Sequence, residues 1–150
     1  MKIKDVETIY YFAYAHNTNT HILKKRCPSA KLIGIGVLRN FKLVFRHYAD
    51  IENADNTHCY GIVWEIDSKD LKALDHDEGL HRAYNRIPLS IDMKNKTLKS
   101  MTYIMDPANT VKKATPQWYI DSVIKGYREH GLPIRQIENA LSDSETENEN

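Results

Sequence analysis

The sequence predicts an α+β fold organised around a mixed or antiparallel sheet. The chain has 150 residues, the usual size of one domain. Short β-favouring runs with alternating or continuous apolar residues follow one another as far as residue 105, and the longest helical patterns lie near the C-terminus. Because strands and helices do not alternate regularly, a parallel βαβ sheet is disfavoured.

The first strand and the first helix are predicted within residues 9–26. Residues 9–14 form an aromatic, β-favouring run that is typical of a central strand. The polar residues 15–19 form a loop whose Asn and Thr side chains can cap a helix. That helix is predicted over residues 20–26, since Pro28 disfavours helix at the residue before it.

Three further strands are predicted before residue 67. Residues 31–38 and 41–47 read as two strands joined by a turn at residues 39–40, and the second alternates apolar and polar side chains. Residues 49–57 are polar and are predicted as a loop. The apolar residues 58–66 form the next strand, in which Gly61 allows a close backbone approach.

A capped helix and a hairpin come next. Asp67 and Asp70 resemble an N-terminal capping pair, and Gly79 suits the C-terminal cap, so a helix is predicted between them. Residues 87–93 alternate in polarity as a half-buried strand does. A turn at residues 94–96 then leads into the return strand, residues 98–105.

The C-terminal part is predicted as two helices and a tail. Thr115 is the expected cap of a helix over residues 116–130, which Gly131 and Pro133 end. A short helix over residues 133–141 follows. Residues 142–150 hold four acidic side chains and no apolar one, so we predict a domain over residues 1–141 and a disordered acidic tail over residues 142–150.

Composition argues against several classes of function. The 21 basic and 20 acidic residues give no broad attraction to nucleic acid or to an anionic membrane. No apolar run approaches the roughly 20 residues of a membrane span. Without an apolar secretion signal we expect a reducing, cytoplasmic location, with Cys27 and Cys59 as free thiols. His76 and His81 flank an acidic run, but their spacing does not place them on one helix face, so no metal is expected.

Four stretches together carry a family resemblance. They are Tyr-Phe-Ala-Tyr-Ala-His-Asn at residues 11–17, Gly-Ile-Val-Trp-Glu-Ile at 61–66, Leu-x-x-Leu-Asp-x-x-Glu-Gly at 71–79, and Pro-x-x-Tyr at 116–119 with Gly-x-x-Glu-x-Gly-Leu-Pro at 126–133. In this order they resemble the gamma-glutamylcyclotransferase family and its AIG2-like relatives, over roughly residues 9–141. The resemblance implies a small mixed β-barrel flanked by short helices, with a pocket at the end of the barrel.

The resemblance also implies a reaction and a site. Family members convert a γ-glutamyl amide into 5-oxoproline and a free amine by attack of the substrate's own α-amine, with no metal and no cofactor. Glu78 matches the catalytic carboxylate, which would act as general acid and base with its pKa raised by burial. The substrate-binding positions that match are Tyr14, Ala15, His16, Asn17, Tyr84, Tyr103 and Tyr119. The three later tyrosines would donate hydrogen bonds, and the amides of residues 15–17 could bind the α-carboxylate.

The sequence departs from the family at two positions. Ala15 and His16 stand where family members usually have Gly and Ser. If that Gly has positive φ, alanine carries a steric cost of roughly 1 kcal/mol or more. His16 could fill part of the pocket, contact an anionic ligand or remain a solvated loop side chain. The alternative hypothesis is therefore a catalytically altered binding module that sequesters a small anionic metabolite or nucleotide, and a third is protein interaction through the acidic tail.

Overall fold

The structure is a computed structural model that describes residues 8–79, 83–109 and 113–149. Within these residues, five strands form a closed barrel in the order β1-β3-β2-β4-β5. The barrel is mixed because β1 pairs in parallel with β5, whereas the other neighbouring strands pair antiparallel. The strands are β1 (Ile9–Ala13), β2 (Lys31–Arg46), β3 (Tyr48–Ile66), β4 (Tyr84–Met93) and β5 (Lys96–Met105). This architecture confirms the predicted α+β fold.

Helices flank the barrel and begin and end largely where the caps predict. They are α1 (Thr20–Arg26), α2 (Ser68–Glu78), α3 (Gln117–His130) and α4 (Ile134–Glu149), with 3₁₀ turns at His16–Thr18 and Pro107–Asn109. The Asp67 carboxylate accepts a hydrogen bond from the Asp70 amide at 2.8 Å and thereby caps α2. Gly79 and Gly131 end α2 and α3 in the left-handed conformation, with φ of 64° and 73°.

The β2–β3 ribbon corrects two sequence predictions. The turn expected at residues 39–40 is a bulge, where the register shifts and Asn40 has a φ of 64°. The polar residues 49–57, predicted as a loop, belong to β3, and the chain reverses instead at His47, whose φ is 74°. Backbone pairing with β2 holds residues 49–53 of this polar stretch in the strand, since hydrogen bonding along a ribbon does not require apolar side chains.

The C-terminal helices also differ from their predicted bounds. Helix α3 starts one residue later than expected, and Pro116 takes the cap position in place of Thr115. Helix α4 continues past residue 141 to Glu149, and an ion pair of 3.7 Å joins Lys42 to Asp143 on its extension. The disorder of residues 142–150 stays a prediction.

The core anchors the loop that follows β1. Trp64 is almost fully buried in the barrel, and its indole Nε1 donates to the carbonyl oxygen of Asn17 at 3.0 Å. Tyr127 of α3 donates through its hydroxyl to the carbonyl oxygen of Tyr14 at 2.6 Å. A Cβ atom on Gly126 would lie 2.6 Å from the amide nitrogen of Asn19, so only glycine lets α3 approach this loop so closely.

Both cysteines are structural. Cys27 and Cys59 are buried and free, as the sequence predicts, and burial raises the pKa of each thiol to about 12. In the described part of the chain, no helix combines the length and the apolar character that a bilayer crossing requires.

Candidate active site

A cavity of about 610 Å³ opens at one end of the barrel. The topology brings the C-terminal ends of β1 and β5 and the N-terminal ends of β3 and β4 to this end. Every residue that the sequence assigned to the site lines this cavity. These residues are Tyr14, Ala15, His16, Asn17, Glu78, Tyr84, Tyr103 and Tyr119.

Glu78 meets the loop after β1 directly. It is the last residue of α2, and its Oε1 accepts a hydrogen bond from Nδ2 of Asn17 at 3.3 Å. These two residues are 61 positions apart in the chain. Two segments far apart in the sequence therefore line a single cavity.

The environment of Glu78 holds its pKa near neutrality. Removal of the carboxyl group from water is the largest effect, and together with the neighbouring charge of Asp77 it raises the pKa. The positive charge of Arg26 and the hydrogen bond from Asn17 oppose that rise. The resulting pKa is about 7, so at neutral pH both the acid and the carboxylate are well populated.

Asn17 is the centre of the polar network around Glu78. Its Oδ1 accepts a hydrogen bond of 2.8 Å from Nη1 of Arg26, while its Nδ2 also donates to the Tyr11 hydroxyl at 3.0 Å. Because a guanidinium can only donate, this bond determines which way the Asn17 amide faces. Arg26 is held in turn by Asp77, at 3.3 Å from Nε to Oδ2. The network therefore directs an N–H donor at Glu78.

Two of the expected hydroxyl donors already use their protons. The Tyr84 hydroxyl donates to the carbonyl oxygen of Ala49 at 2.7 Å, and the Tyr103 hydroxyl donates to Oδ1 of Asp75 at 2.6 Å. A hydroxyl has one proton, so these tyrosines can still accept a hydrogen bond from a ligand but not donate a second one. The prediction that both donate to substrate is thus not supported by their geometry.

Tyr119 and Tyr11 keep their protons available. The Tyr119 hydroxyl accepts from the amide of Ala49 at 3.2 Å, and the Tyr11 hydroxyl accepts from Asn17. Burial, the largest cause in both, raises the pKa of each phenol well above its usual value, so both are neutral donors at neutral pH. Tyr119 can therefore donate a hydrogen bond to a ligand, as predicted, and so can Tyr11.

The two departures from the family pattern are resolved by backbone and ring geometry. Ala15 has a φ of −141°, so the cost of placing alanine at positive φ does not arise. The His16 ring packs 5.0 Å from the ring of Tyr119 and 6.2 Å from that of Trp118, centroid to centroid, and is not a solvated loop side chain. Burial and the charge of Arg26 lower the pKa of His16 to about 4, so it is neutral at neutral pH and brings no positive charge to an anionic ligand.

Sequence reasoning missed several residues of this cavity. Tyr11, Arg26, Tyr48 and Trp118 also line it. Arg26 ends the basic run of residues 24–26, which is typical of a solvated helix end but can also place an arginine against an anionic ligand. No sequence pattern indicated that Tyr48 belongs to the site, because it lies between a predicted strand end and a predicted loop.

The structure gives no indication of a metal centre among the residues it describes, where no three His, Cys, Asp or Glu side chains converge. His76 lines the cavity, and His81, considered with it, lies outside the described residues.

Fold and cavity define a class of protein: a small closed barrel with a carboxylate inside a tyrosine-lined cavity at its end. The AIG2-like family model matches residues 58–139. The gamma-glutamylcyclotransferases of Bos taurus and Homo sapiens are each 28% identical to this chain, over 89% of it and 78% of the relative. A solved structure titled gamma-glutamyl cyclotransferase superposes with a TM-score of 0.79 at 26% identity, covering 89% of this chain and 86% of that one. The chain therefore belongs to the AIG2-like family.

Proposed function

We propose that this protein is a cyclotransferase that acts on γ-glutamyl amides and releases 5-oxoproline and a free amine. The observation that carries the proposal is Glu78, a carboxyl group with a pKa of about 7 inside the cavity. The names of the relatives support the reaction class. The buried free thiols are consistent with action in a reducing cytosol.

In the proposed reaction, the α-amine of the glutamyl group attacks its own γ-carbonyl carbon. A C–N bond forms to close the five-membered ring, and the original amide C–N bond breaks. Nucleophile and electrophile belong to one molecule, so holding the chain in a ring-closing pose supplies a large part of the rate, with effective molarities on the order of 10⁵ M or more.

Glu78 would transfer the proton that this reaction has to move. As a carboxylate it takes a proton from the α-ammonium group, and as an acid it gives that proton to the departing nitrogen. A group with a pKa of about 7 can do both at neutral pH, because neither form is scarce. The Asn17 amide stabilises the carboxylate form and aligns it.

The polar groups around Glu78 would bind the glutamyl group. Arg26 provides a positive charge for the α-carboxylate, and the amides that begin the His16–Thr18 turn have no partner within that turn. The hydroxyls of Tyr11 and Tyr119 can donate to carbonyl or carboxylate oxygens. Tyr84 and Tyr103 can accept from the α-ammonium group.

The test is to incubate the protein with γ-glutamyl amino acids and γ-glutamylamines and to quantify 5-oxoproline. We expect product with the wild type and a loss of at least about 100-fold in kcat for Glu78→Gln, which keeps the shape but cannot transfer the proton. Undiminished turnover by Glu78→Gln would exclude Glu78 from the chemistry.

The alternative of a binding module is favoured by one observation, the His16 ring at the position of the family's usual serine. Wild-type protein that is stabilised against thermal unfolding by a γ-glutamyl compound or an anionic metabolite, yet forms no 5-oxoproline from any of them, would support it.

A further inference from the structure

Four aromatic rings form one side of the cavity, which we call the aromatic wall: His16, Tyr48, Trp118 and Tyr119. Their centroids lie close together, at 5.0 Å for His16 and Tyr119, 5.1 Å for Tyr48 and Tyr119, 5.8 Å for Trp118 and Tyr119, and 6.4 Å for Tyr48 and Trp118. These are separations at which aromatic rings interact favourably. The rings therefore form one continuous surface.

The wall leads outward from the polar part of the cavity. Asn17, which contacts Glu78, is 3% exposed and Tyr119 is 6% exposed, whereas Tyr48 is 36% and Trp118 is 60% exposed. Tryptophan is on average a highly buried residue, so a Trp side chain open to solvent beside a cavity is unusual. The wall runs from the interior to the mouth.

Contacts within the fold join the elements that carry the rings of the wall. Its rings come from the loop after β1, from the start of β3 and from the first turn of α3. The hydrogen bond from the Ala49 amide to the Tyr119 hydroxyl joins the start of β3 to α3, and a 2.9 Å contact joins Nδ1 of His47 to the carbonyl oxygen of Ala114. These contacts fix the position of Tyr119 and of the segments that carry Tyr48 and Trp118, which lowers the entropic cost of binding a ligand there.

The proposed function determines which half of a substrate reaches the wall. The glutamyl group must reach Glu78, Asn17 and Arg26, where the charged and hydrogen-bonding groups are. The amine that leaves is at the other end of the γ-amide, so in the proposed reaction it would extend toward the mouth, where Tyr48 and Trp118 lie. The aromatic side chains would then contact that amine.

The wall offers an uncharged surface of rings that are tilted or edge-on to one another. None of its four side chains is a carboxylate, and His16, with its pKa lowered to about 4, is uncharged at neutral pH. Within the described lining of the cavity, Asp77 is already paired with Arg26. A cationic amine would gain a cation–π attraction of about 0.5–1 kcal/mol at such an exposed site but would find no opposite charge in these residues. An aromatic or large aliphatic group gains more, from burial and from ring stacking.

We propose that the aromatic wall makes this protein selective for γ-glutamyl amides whose leaving amine carries an aromatic or large apolar group. The inference rests on the proposed function and specifies its substrate class. Tyr48 and Trp118 are the residues that determine this specificity.

The test compares kcat/KM for γ-glutamyl-phenylalanine, γ-glutamyl-alanine and γ-glutamyl-lysine. We expect a preference of about tenfold or more for the phenylalanine compound. Trp118→Ala should lower kcat/KM for that compound about fivefold more than for the alanine compound, mainly through KM. Trp118→Phe, which keeps a ring, should retain most of the preference.

The matched control is Tyr60→Ala. Tyr60 is 36% exposed, like Tyr48, but does not line this cavity, so its truncation should leave the preference unchanged while Tyr48→Ala reduces it. Equal rates for the phenylalanine and alanine compounds, a preference for the lysine compound, or a preference that survives both Tyr48→Ala and Trp118→Ala would overturn the inference.

Binding measurements separate this inference from the proposed function. Calorimetric titration of Glu78→Gln with the same three compounds reports selectivity without turnover. If Glu78→Gln binds the phenylalanine compound more tightly than the other two, and Glu78→Gln/Trp118→Ala does not, the selectivity of the wall is supported. That result would hold even if the wild type formed no 5-oxoproline. If the wild type converts all three compounds and Glu78→Gln binds them with equal affinity, the proposed selectivity is refuted and the proposed function is not affected.

Discussion

Replacing Glu78 by Gln should stabilise this protein, and the gain should depend on pH. In the unfolded chain the carboxyl has its ordinary pKa of 4.5, whereas in the folded protein burial raises it to about 7. Between these two values the unfolded state binds fewer protons than the folded state. The free energy of unfolding therefore falls as pH rises from 4.5 to about 7, and the loss is complete above that window.

The magnitude follows from the two pKa values. One pKa unit corresponds to about 1.4 kcal/mol, so above pH 7 the ionised Glu78 costs the fold about 3 kcal/mol. At pH 5 the remaining cost is about 1 kcal/mol. Gln is nearly isosteric and can still accept the hydrogen bond from Asn17, so Glu78→Gln should recover most of this difference.

Urea unfolding of wild type and variant at pH 5 and pH 8 measures the effect. The stabilisation by Glu78→Gln should be about 2 kcal/mol larger at pH 8 than at pH 5. Glu138→Gln is a matched control, because Glu138 is an exposed glutamate on α4 and its replacement should give the same small change at both pH values. A pH-independent effect of Glu78→Gln, or a loss of stability at pH 8, would refute the assignment of a desolvated carboxyl in this cavity.

Two further predictions concern the groups that position Glu78. Arg26→Met removes a charge that lowers the pKa of Glu78, so the acid limb of the kcat/KM profile should move to higher pH. Arg26→Lys should restore part of the original profile, and an unmoved acid limb in Arg26→Met would contradict the network. Gly126→Ala places a methyl group against the Asn19 backbone and should cost about 1–3 kcal/mol of stability, read by urea unfolding, and lower activity by shifting the loop. Lys125 is exposed on the same helix, so Lys125→Ala should change neither stability nor activity. Equal effects of the two substitutions would contradict the close approach of α3 to the Asn19 backbone.

The stabilisation expected from Glu78→Gln and the loss of activity expected from the same change have one cause. A carboxyl group kept out of water costs the fold stability at neutral pH and thereby acquires a pKa suited to proton transfer. The fold tolerates that cost because Asn17 and Arg26 offset part of it.

Local patterns sufficed for much of the fold. Alternating residues marked β4, and the turn after it placed β5. Asp67 and Gly79 marked the ends of α2, and the polar residues 15–19 were expected to cap α1, which Asn19 does. These signals depend on residues that are close together in the chain, so they can be recognised from the sequence alone. Residues 49–57 were wrongly predicted as a loop because they are polar, whereas residues 49–53 pair with β2 through their backbone, which polarity does not reveal.

The sequence by itself determined the barrel's main elements and, through four motifs in one order, the family and the eight residues of the expected site. Only the tertiary structure decided what those residues can do: which tyrosine hydroxyls keep a proton to donate, that His16 is neutral, and that Trp118 and Tyr48 stand together at the mouth. Hydrogen-bond partners, desolvation and ring contacts arise between segments far apart in the chain, so their effect on each group exists only once the barrel has closed.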